Sequence, residues 1–550
     1  MRKQTKIAAV VSAAALLALG ASMTSFAASK GTWMMVDGEW YCYDSNGDVY
    51  ENTFCSSNGK EYYVGDDGQL VRSSWVEYDG DYYFVNSSGQ KITNDWRLTS
   101  PYDDEDAEEE WFYFQSTGKR AENKKILYKG STYFFDADGE MLTGWVTYDG
   151  SGTASVDEAN DFDEDKTFYC DETGARVQTN LVYSTKPGVE DDDADADEYW
   201  YWMKSSGKAQ TGKATNIKGQ VYLFDENGQL QTGWVAKNSD GNYMEIGDED
   251  STYKISQFAD VYYCPYEEDG DYDGHAKKNQ WIKTWRPSDY DEEDEDNDKW
   301  WYWLQKDGKL YIPSYSDATV YRYKLTDAAL EVKNSGYSFD IAKKKVNSKD
   351  YFFNMNGEMA TDFIQVIAID PDSNCDLMKG MYYFGGSNDG SMKTGSQSVK
   401  DDNGDTYKFY FGTKSTNNYE KKGLGITGNK SNKVYYMGLL MTADDYKYQM
   451  VTIPNPDVKA VAEGKQEETY TFIVNKNGSI QHSQVEYKED GDVLIDTTKS
   501  TLGVSDIYTT TGDQWKYSIK KDYVDAVADY CVVDSIKIYD VMPEIPYIEE

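Results

Sequence analysis

The stretch that decides the fold is residues 80–96, which read GDYYFVNSSGQKITNDW. Its features recur at one interval, since Gly38, Gly59 and Gly80 follow one another every 21 residues. Three further sets share this interval: Tyr41, Tyr62 and Tyr83; Gly47, Gly68 and Gly89; and Trp33, Phe54, Trp75 and Trp96. A fixed period of this length is typical of repeat proteins, in which small units pack against their neighbours.

Each unit is predicted to be a β-hairpin followed by a short linker. Residues 82–85 are rich in rings and favour a strand, residues 86–89 supply a turn with a glycine, and residues 90–93 return as a second strand. Trp96 then begins the next unit. One hairpin alone is marginally stable, so its rings must be buried against neighbouring hairpins. The sequence therefore predicts an all-β solenoid of tandem hairpins of about 21 residues each.

Acidic segments interrupt the period. The interval from Gly89 to Gly118 exceeds one period by eight residues, and Asp103–Glu110 is an acidic run of that length. Two similar runs, Glu190–Glu198 and Asp291–Asp298, also precede ring-rich strands. We interpret all three runs as solvated loops inserted between repeat units.

The chain is expected to have four parts. Residues 1–28 are typical of a secretory signal peptide, with a basic start, a short apolar run and a small-residue cleavage site. Residues 29–311 carry the clear repeats, and residues 312–412 carry divergent ones. Residues 413–550 are expected to be β-rich, either as further divergent repeats or as a small separate domain, with a short helix at Asp522–Asp529.

The composition excludes some partners. The chain of 550 residues holds 49 Tyr, 15 Trp and 19 Phe at a mean hydropathy of -0.76, so its cores must be built largely from rings. Its net charge of -42 would repel nucleic acid and an anionic membrane surface. No later segment is long and apolar enough to span a membrane. A cationic or neutral ligand fits this charge best.

Cysteines and histidines offer little chemistry. Cys42, Cys170 and Cys264 occupy matching repeat positions, which indicates a strand position for a small apolar residue. A disulfide between Cys42 and Cys55 is the one alternative that is plausible locally. The chain has only two histidines, and no cluster of metal ligands is visible, so no metal and no cofactor are expected.

The repeat resembles a known family through three of its segments. These are residues 141–146 (MLTGWV), residues 230–235 (LQTGWV) and residues 80–84 (GDYYF). They are similar to the choline-binding or cell-wall-binding repeats of Gram-positive surface proteins. Relatives of those repeats include the glucan-binding repeats of glucosyltransferases and the receptor-binding repeats of large clostridial toxins. The resemblance implies a solenoid of stacked hairpins with choline sites between successive hairpins, where about three rings form a cage.

Carried over by motif, the resemblance implies a set of cage residues. The ring after each linker is Trp33, Trp75, Trp96, Trp145 or Trp234, and the ring near the start of a hairpin strand is Trp40, Tyr82, Tyr133 or Tyr222. Hairpin packing is the alternative role at every one of these positions. Ser74 and Asp95 stand where the family has a glycine before the tryptophan, so few complete cages are expected.

The sequence thus favours an exported, non-catalytic surface protein that is held non-covalently on the cell wall. Its partner would be a wall polymer, either choline-decorated teichoic acid or a wall polysaccharide. One alternative is a glucan-binding or carbohydrate-binding adhesin, because sugars stack on rings without needing a cation. Another is a wall-modifying enzyme whose catalytic part lies in residues 413–550. The acidic inserts are a further candidate surface for a protein partner.

Overall fold

A computed structural model describes residues 31–155, 162–189, 197–247, 252–267, 273–287, 299–313, 321–323, 340–369, 376–400, 404–416, 421–498, 507–510 and 512–528. The predicted signal peptide at residues 1–28 lies outside them. So do Cys375, Cys531, the run Asp291–Asp298 and all but the last two residues of Glu190–Glu198. The chain divides into two compact units, residues 1–231 and residues 232–550.

The first unit is built from five-residue strands joined as antiparallel hairpins, with a few shorter or longer strands. In chain order the strands are β1 Thr32–Val36, β2 Glu39–Tyr43, β3 Thr53–Ser57, β4 Lys60–Val64, β5 Ser74–Tyr78, β6 Asp81–Val85, β7 Asp95–Thr99, β8 Glu110–Phe114, β9 Lys124–Tyr128, β10 Ser131–Phe135, β11 Gly144–Tyr148, β12 Thr153–Ser155, β13 Thr167–Cys170, β14 Asn180–Thr185, β15 Glu198–Met203, β16 Gly212–Ile217 and β17 Gln220–Phe224. Each strand pairs with its sequence neighbour, except that β11 pairs with both β12 and β13.

The second unit begins with hairpins of the same kind and continues into larger sheets. Its strands are β18 Gly233–Lys237, β19 Tyr243–Glu245, β20 Val261–Cys264, β21 Gln280–Thr284, β22 Trp300–Leu304, β23 Tyr321–Tyr323, β24 Asp340–Val346, β25 Lys349–Asn354, β26 Phe363–Ile369, β27 Asp376–Tyr383, β28 Gly395–Lys400, β29 Thr406–Phe411, β30 Gly428–Lys430, β31 Lys433–Tyr436, β32 Leu439–Leu440, β33 Tyr448–Pro454, β34 Thr469–Asn475, β35 Ile480–Gln481, β36 Glu486–Glu489 and β37 Asp492–Asp496. Its helices are a 3-10 turn at Ile255–Gln257, α1 Val458–Ala462 and α2 Lys521–Ala528.

Two five-stranded sheets mark the middle of the second unit, in the orders β25-β24-β23-β26-β27 and β28-β29-β32-β31-β30. The β-rich C-terminal region is therefore confirmed, and the helix predicted at Asp522–Asp529 is present as α2. The domain boundaries at residues 311 and 412 stay predictions. Among the described residues, no helix has both the length and the apolar character needed to cross a membrane.

The all-β fold of tandem hairpins is confirmed, and aromatic side chains fill its core. Phe112, Phe114, Phe134 and Tyr201 each have 0% of their surface exposed. Cys42, Cys170 and Cys264 are buried, which confirms the prediction of small apolar strand positions. Cys55 is also buried, and the disulfide considered between Cys42 and Cys55 is not formed.

The predicted strand pairing within a repeat is wrong. Strand β6 pairs with the preceding β5, not with residues 90–93, and the hairpin tip is Asp79–Gly80. Both tip residues have positive φ, 57° and 78°, as a two-residue hairpin turn requires. Lys91 forms only an isolated bridge with Val85. The Asp-Gly dipeptide is the short-range hairpin signal that locates this tip.

The acidic insert Asp103–Glu110 also lies elsewhere than predicted. Because β7 pairs with β8, the segment 100–109 that holds most of Asp103–Glu110 is the tip of a hairpin, where β5 and β6 have two residues. The run Asp291–Asp298 and all but the last two residues of Glu190–Glu198 lie outside the described residues. An insertion at a tip leaves neighbouring hairpins free to touch.

A column of side chains connects successive hairpins. Its members stand two residues after each turn glycine, and we call them column residues: Leu70, Lys91, Arg120, Met141, Arg176, Ala209 and Leu230 in the first unit, and Leu310, Met359 and Met392 in the second. The backbone N–H of Lys91 donates to the carbonyl oxygen of Glu61 in the previous hairpin, at 2.8 Å. The other column residues named above, except Ala209, donate to an earlier hairpin or strand in the same manner.

Column residues also explain why the turn glycine recurs. Gly139 has a φ of +78°, and a Cβ placed there would lie 2.5 Å from Cδ of Arg120. Gly118 covers Lys91 and Gly174 covers Met141 at comparably short distances. The turn glycine is therefore required both by its backbone conformation and by the side chain packed beneath it.

Asp225 is a buried turn residue, and its burial makes the stability of the fold depend on pH. Its Oδ1 accepts from the backbone N–H of Asn227 at 2.9 Å and of Gln229 at 2.8 Å, as Oδ1 of Asn86 does in the corresponding turn. Burial raises the pKa of Asp225 to about 6 from its ordinary 3.8. The folded state therefore binds this proton more tightly than the unfolded state, and stability falls as pH rises from about 4 to about 6.

We expect Asp225→Asn to keep both hydrogen bonds and to remove this loss. The free energy of unfolding, measured in urea, should become larger for the variant relative to the wild type as the pH is raised from 4 to 7. The scale is about 1.4 kcal/mol for each unit of pKa shift. An identical difference between variant and wild type at both pH values would contradict the assignment.

Candidate aromatic clefts

Successive hairpins meet through clusters of four aromatic rings, two from each hairpin. The first cleft consists of Phe54, Tyr63, Tyr78 and Tyr83. Phe54 in β3 lies opposite Tyr63 in β4, and its ring centroid is 5.1 Å from Tyr63, 5.3 Å from Tyr78 and 5.1 Å from Tyr83. All three contacts are edge-to-face, the geometry that aromatic pairs favour.

The first cleft holds a cation that belongs to the chain itself. Nζ of Lys91 lies 4.8 Å from the ring centroid of Phe54 and 5.4 Å from that of Tyr83. Lys91 is only 9% exposed and forms an ion pair with Glu61. The ring faces and the carboxylate together offset the cost of removing the ammonium group from water.

The second cleft consists of Trp75, Phe84, Phe112 and Phe114, with Tyr82 and Tyr102 at its rim. Trp75 lies 4.9 Å from Phe112 and 5.5 Å from both Phe84 and Phe114. Tyr102 comes from the inserted tip and contacts Tyr82 at 4.8 Å. Nε1 of Trp75 donates to the carbonyl oxygen of Ser100 at 2.9 Å, so the insert also fixes this indole.

A second internal cation fills the second cleft. Cζ of Arg120 lies 4.4 Å from the ring centroid of Tyr82, 5.5 Å from that of Trp75 and 6.0 Å from that of Phe112. Its Nε donates to Oε1 of Glu122 at 2.9 Å. Trp75 and Tyr82, two predicted cage residues, are thus brought together around a guanidinium group of the same chain.

The third cleft repeats the first with two changes, one in a ring and one in the column residue. Tyr113, Tyr128 and Tyr133 stand 50 residues after Tyr63, Tyr78 and Tyr83, and Trp96 takes the place of Phe54. The ring of Trp96 lies 4.9 Å from Tyr133, 5.1 Å from Tyr113 and 5.8 Å from Tyr128. The column residue, again 50 residues on, is Met141 instead of Lys91.

Carboxylates lie beside the third cleft. Glu110 begins β8, and Glu140 precedes Met141, whose backbone N–H donates to the carbonyl oxygen of Trp111. Burial raises the pKa of Glu110, Asp136 and Glu140. Repulsion from neighbouring carboxylates raises each pKa further, from Asp136 for Glu110 and Glu140 and from Asp138 for Asp136. Within the described part of the chain, the one cation over a ring of this cleft is the exposed Lys129, whose Nζ lies 4.8 Å from the ring centroid of Tyr128. A positive charge here would relieve the repulsion.

A fourth cleft lies in the second unit. Its rings are Trp281, Trp303, Tyr351 and Phe353, and its column residue is Met359. Trp281 lies 4.8 Å from Tyr351 and 5.2 Å from Trp303. A cavity of about 480 Å³ opens on Trp281, Tyr351 and Met359. Its polar lining residues are Lys349, Asn388 and Asp389.

A larger groove adjoins the fourth cleft, with a volume of about 1100 Å³. Trp281, Trp285 and Tyr263 supply ring surface, and Glu245 and Gln280 are among its polar lining residues. Nζ of Lys299 lies 3.9 Å from the ring centroid of Trp285. Ring surface together with hydrogen-bonding groups is suited to holding a sugar.

The other predicted cage residues are placed differently. Trp145, Tyr222 and Trp234 are 7%, 1% and 2% exposed. Nε1 of Trp145 donates to the carbonyl oxygen of Thr185, and Nε1 of Trp234 to that of Trp285. These three rings are core. Trp33 is half-buried against Tyr62 at 5.7 Å, and the half-buried Trp40 stands opposite Met35.

The sequence prediction missed several cleft rings. Trp96 and Tyr133 were predicted and do meet, whereas Tyr113, Tyr128, Trp281 and Tyr351 were not. The offset of 50 residues between the first and third clefts is the signal that identifies Tyr113 and Tyr128. The rings at Trp281 and Tyr351 belong to repeats of irregular spacing, which the period does not reach.

No protein-family model matches the chain. It is similar to Glucosyltransferase-S of Streptococcus mutans, with 28% identity over 137 residues, which are 25% of this chain and 8% of the relative. A solved structure of the modular autolysin LytC from Streptococcus pneumoniae matches at 15% identity and a TM-score of 0.31, covering 60% of this chain and 52% of LytC. The choline-binding domain of CbpL, also from Streptococcus pneumoniae, matches at 20% identity and a TM-score of 0.26, covering 39% of this chain and 98% of that domain.

The predicted resemblance to choline-binding and glucan-binding repeat proteins is confirmed. The chain spans less than a tenth of the curated relative and about half of LytC. Glucosyltransferase and autolysin are names of enzymes, so the proteins with similar segments include catalytic ones.

Proposed function

We propose that this chain is a non-catalytic surface protein that binds a quaternary-ammonium-bearing wall polymer in the aromatic clefts between its hairpins. The observation that carries the proposal is the third cleft, in which Trp96, Tyr113 and Tyr133 converge without a column cation between them. A quaternary ammonium has no N–H to donate, so ring faces are its natural partners, each contributing about 0.5–2 kcal/mol.

The fourth cleft supports the same function. It combines Trp281 and Tyr351 with an apolar column residue, and its cavity of about 480 Å³ exceeds the size of a trimethylammonium group. The similarity to proteins named for choline binding agrees with this ligand. Attachment would be non-covalent, and it would place the chain at the cell surface.

The experiment is retention of the full chain on purified choline-bearing walls, followed by elution with choline. We expect Trp96→Ala combined with Trp281→Ala to weaken retention by at least about tenfold, since about 1.4 kcal/mol is tenfold in affinity. Trp111→Ala is the matched control, because this 37% exposed indole only meets Trp96 edge-on from outside the cleft. Equal retention of the double variant and the control would refute the cleft as the binding site.

Glucan binding is the second candidate, favoured by the groove of about 1100 Å³ around Trp281 and Trp285. Retention on dextran that resists choline elution and falls after Trp285→Ala would select this function. We do not assign catalysis to residues 413–550. Hydrolysis of purified wall by the full chain would contradict the proposed non-catalytic role.

A further inference from the structure

The column position decides what touches the rings of a cleft. In each cleft the column residue stands eight residues after one of the rings. The column residues Lys91, Arg120, Met141 and Met359 follow Tyr83, Phe112, Tyr133 and Tyr351, respectively. Two of these four side chains are cationic and two are thioethers. Each cleft is built from rings of two hairpins, and the clefts differ at the column residue. Two other cations each lie over one ring: Arg97 is 5.0 Å from the ring centroid of Phe84 in the second cleft, and Lys129 is 4.8 Å from that of Tyr128 in the third.

The cationic column residues occupy the place that an external cation would need. The ammonium of Lys91 lies between the rings of Phe54 and Tyr83, and the guanidinium of Arg120 faces three rings of the second cleft. Both side chains are at most 9% exposed. A tethered cation competes at a high effective concentration, so a free one of similar affinity does not displace it.

We propose that Lys91 and Arg120 are built-in occupants that close the first and second clefts to external cations. The column residue thus determines which clefts accept a quaternary ammonium ion, and the clefts of Met141 and Met359 are the accepting ones. The choice of ligand rests on the proposed function, but the closure itself is a property of these side chains and is tested separately.

The glycine packed on each column residue supports this role. The stem of Arg120 lies under Gly139 and the stem of Lys91 under Gly118, so each side chain has one direction in which to extend. Glu61 and Glu122 then fix the charged heads by ion pairs. The stem and the charged head of each cation are therefore both held in place.

The test titrates tetramethylammonium chloride into the full chain and counts sites by calorimetry. We expect Lys91→Met and Arg120→Met each to add one site relative to the wild type. Met141→Lys is expected to remove one, and this variant should fold because Lys91 already stands in the equivalent cleft. Arg120→Lys, which keeps a cation, should add none.

Each outcome has a defined meaning once circular dichroism shows that the variants are folded. New sites in the Met variants support the closure, even where the wild type binds nothing, and that combination would count against the proposed function alone. Unchanged site numbers in both Met variants would overturn the closure. If Arg120→Lys binds no more ligand than an unfolded control, that variant has a folding defect. The closure is then tested by comparing the number of sites in Met141→Lys with that in the wild type.

Discussion

Replacing Trp234 by alanine is expected to lower the free energy of unfolding of the second unit by about 3–5 kcal/mol. Trp234 is 2% exposed and its ring lies 5.0 Å from Tyr263 and 4.9 Å from Tyr302. The variant would also leave the carbonyl oxygen of Trp285 without its indole donor. Cavity formation and the lost hydrogen bond act in the same direction.

Urea unfolding of the full chain, combined with hydrogen exchange to localise the change, measures this effect. The control is Leu127→Ala, since Leu127 is 73% exposed and its truncation should change stability by less than about 0.5 kcal/mol. A small effect at Trp234 would mean that its indole is a ligand-binding surface and not core.

The second large effect is expected at a buried ion pair. Glu358 is 2% exposed, and its Oε1 accepts from Nε of Arg286 at 2.6 Å while Oε2 accepts from Nδ2 of Asn354 at 2.6 Å. Arg286→Met would leave a buried carboxylate without its counter-charge, which typically costs about 3–5 kcal/mol. We expect this single variant to be among the least stable.

A double-mutant cycle measures the coupling. Adding Glu358→Gln to Arg286→Met removes the uncompensated charge and should recover much of the loss, because the two changes act on one pair. Strictly additive effects of the two substitutions would contradict the pairing.

The period of 21 residues was sufficient to predict the hairpin array and its aromatic core. Gly38, Gly59 and Gly80 repeat because each supplies the positive φ of a two-residue tip, and this is a local property that sequence reports directly. The burial of rings follows from the same pattern, since each hairpin has no other way to cover its apolar face.

Strand pairing was mispredicted because each repeat contains two turns. Residues 86–89 form a turn stabilised by Oδ1 of Asn86, and residues 79–80 form the tip that joins paired strands. Both turns carry a glycine at the repeat period. The two turns differ only in length, because the tip has two residues and the other turn has four. In the next hairpin the tip is lengthened by the acidic insert at residues 100–109, so length no longer distinguishes the two turns.

The column residues that fill the clefts could not be predicted, because each one follows in sequence the hairpins that form its cleft. Lys91 fills a cleft formed by the two hairpins before it, and nothing in its local sequence marks this position as different from that of Met141. The burial of Trp145 and Trp234 was hidden for a related reason. Their neighbours Tyr201 and Tyr302 are more than fifty residues away.

Calorimetric titration of the full chain with choline and with 3,3-dimethylbutan-1-ol, its uncharged isostere, tests recognition of the cation by ring faces most directly. The two compounds share shape and apolar area, so they differ only in the charge that the rings attract. Choline should bind at least about tenfold more tightly than the alcohol, and Trp96→Ala should reduce this preference. Equal affinities for the two compounds, or binding of neither beside tight binding of a glucan oligomer, would contradict it.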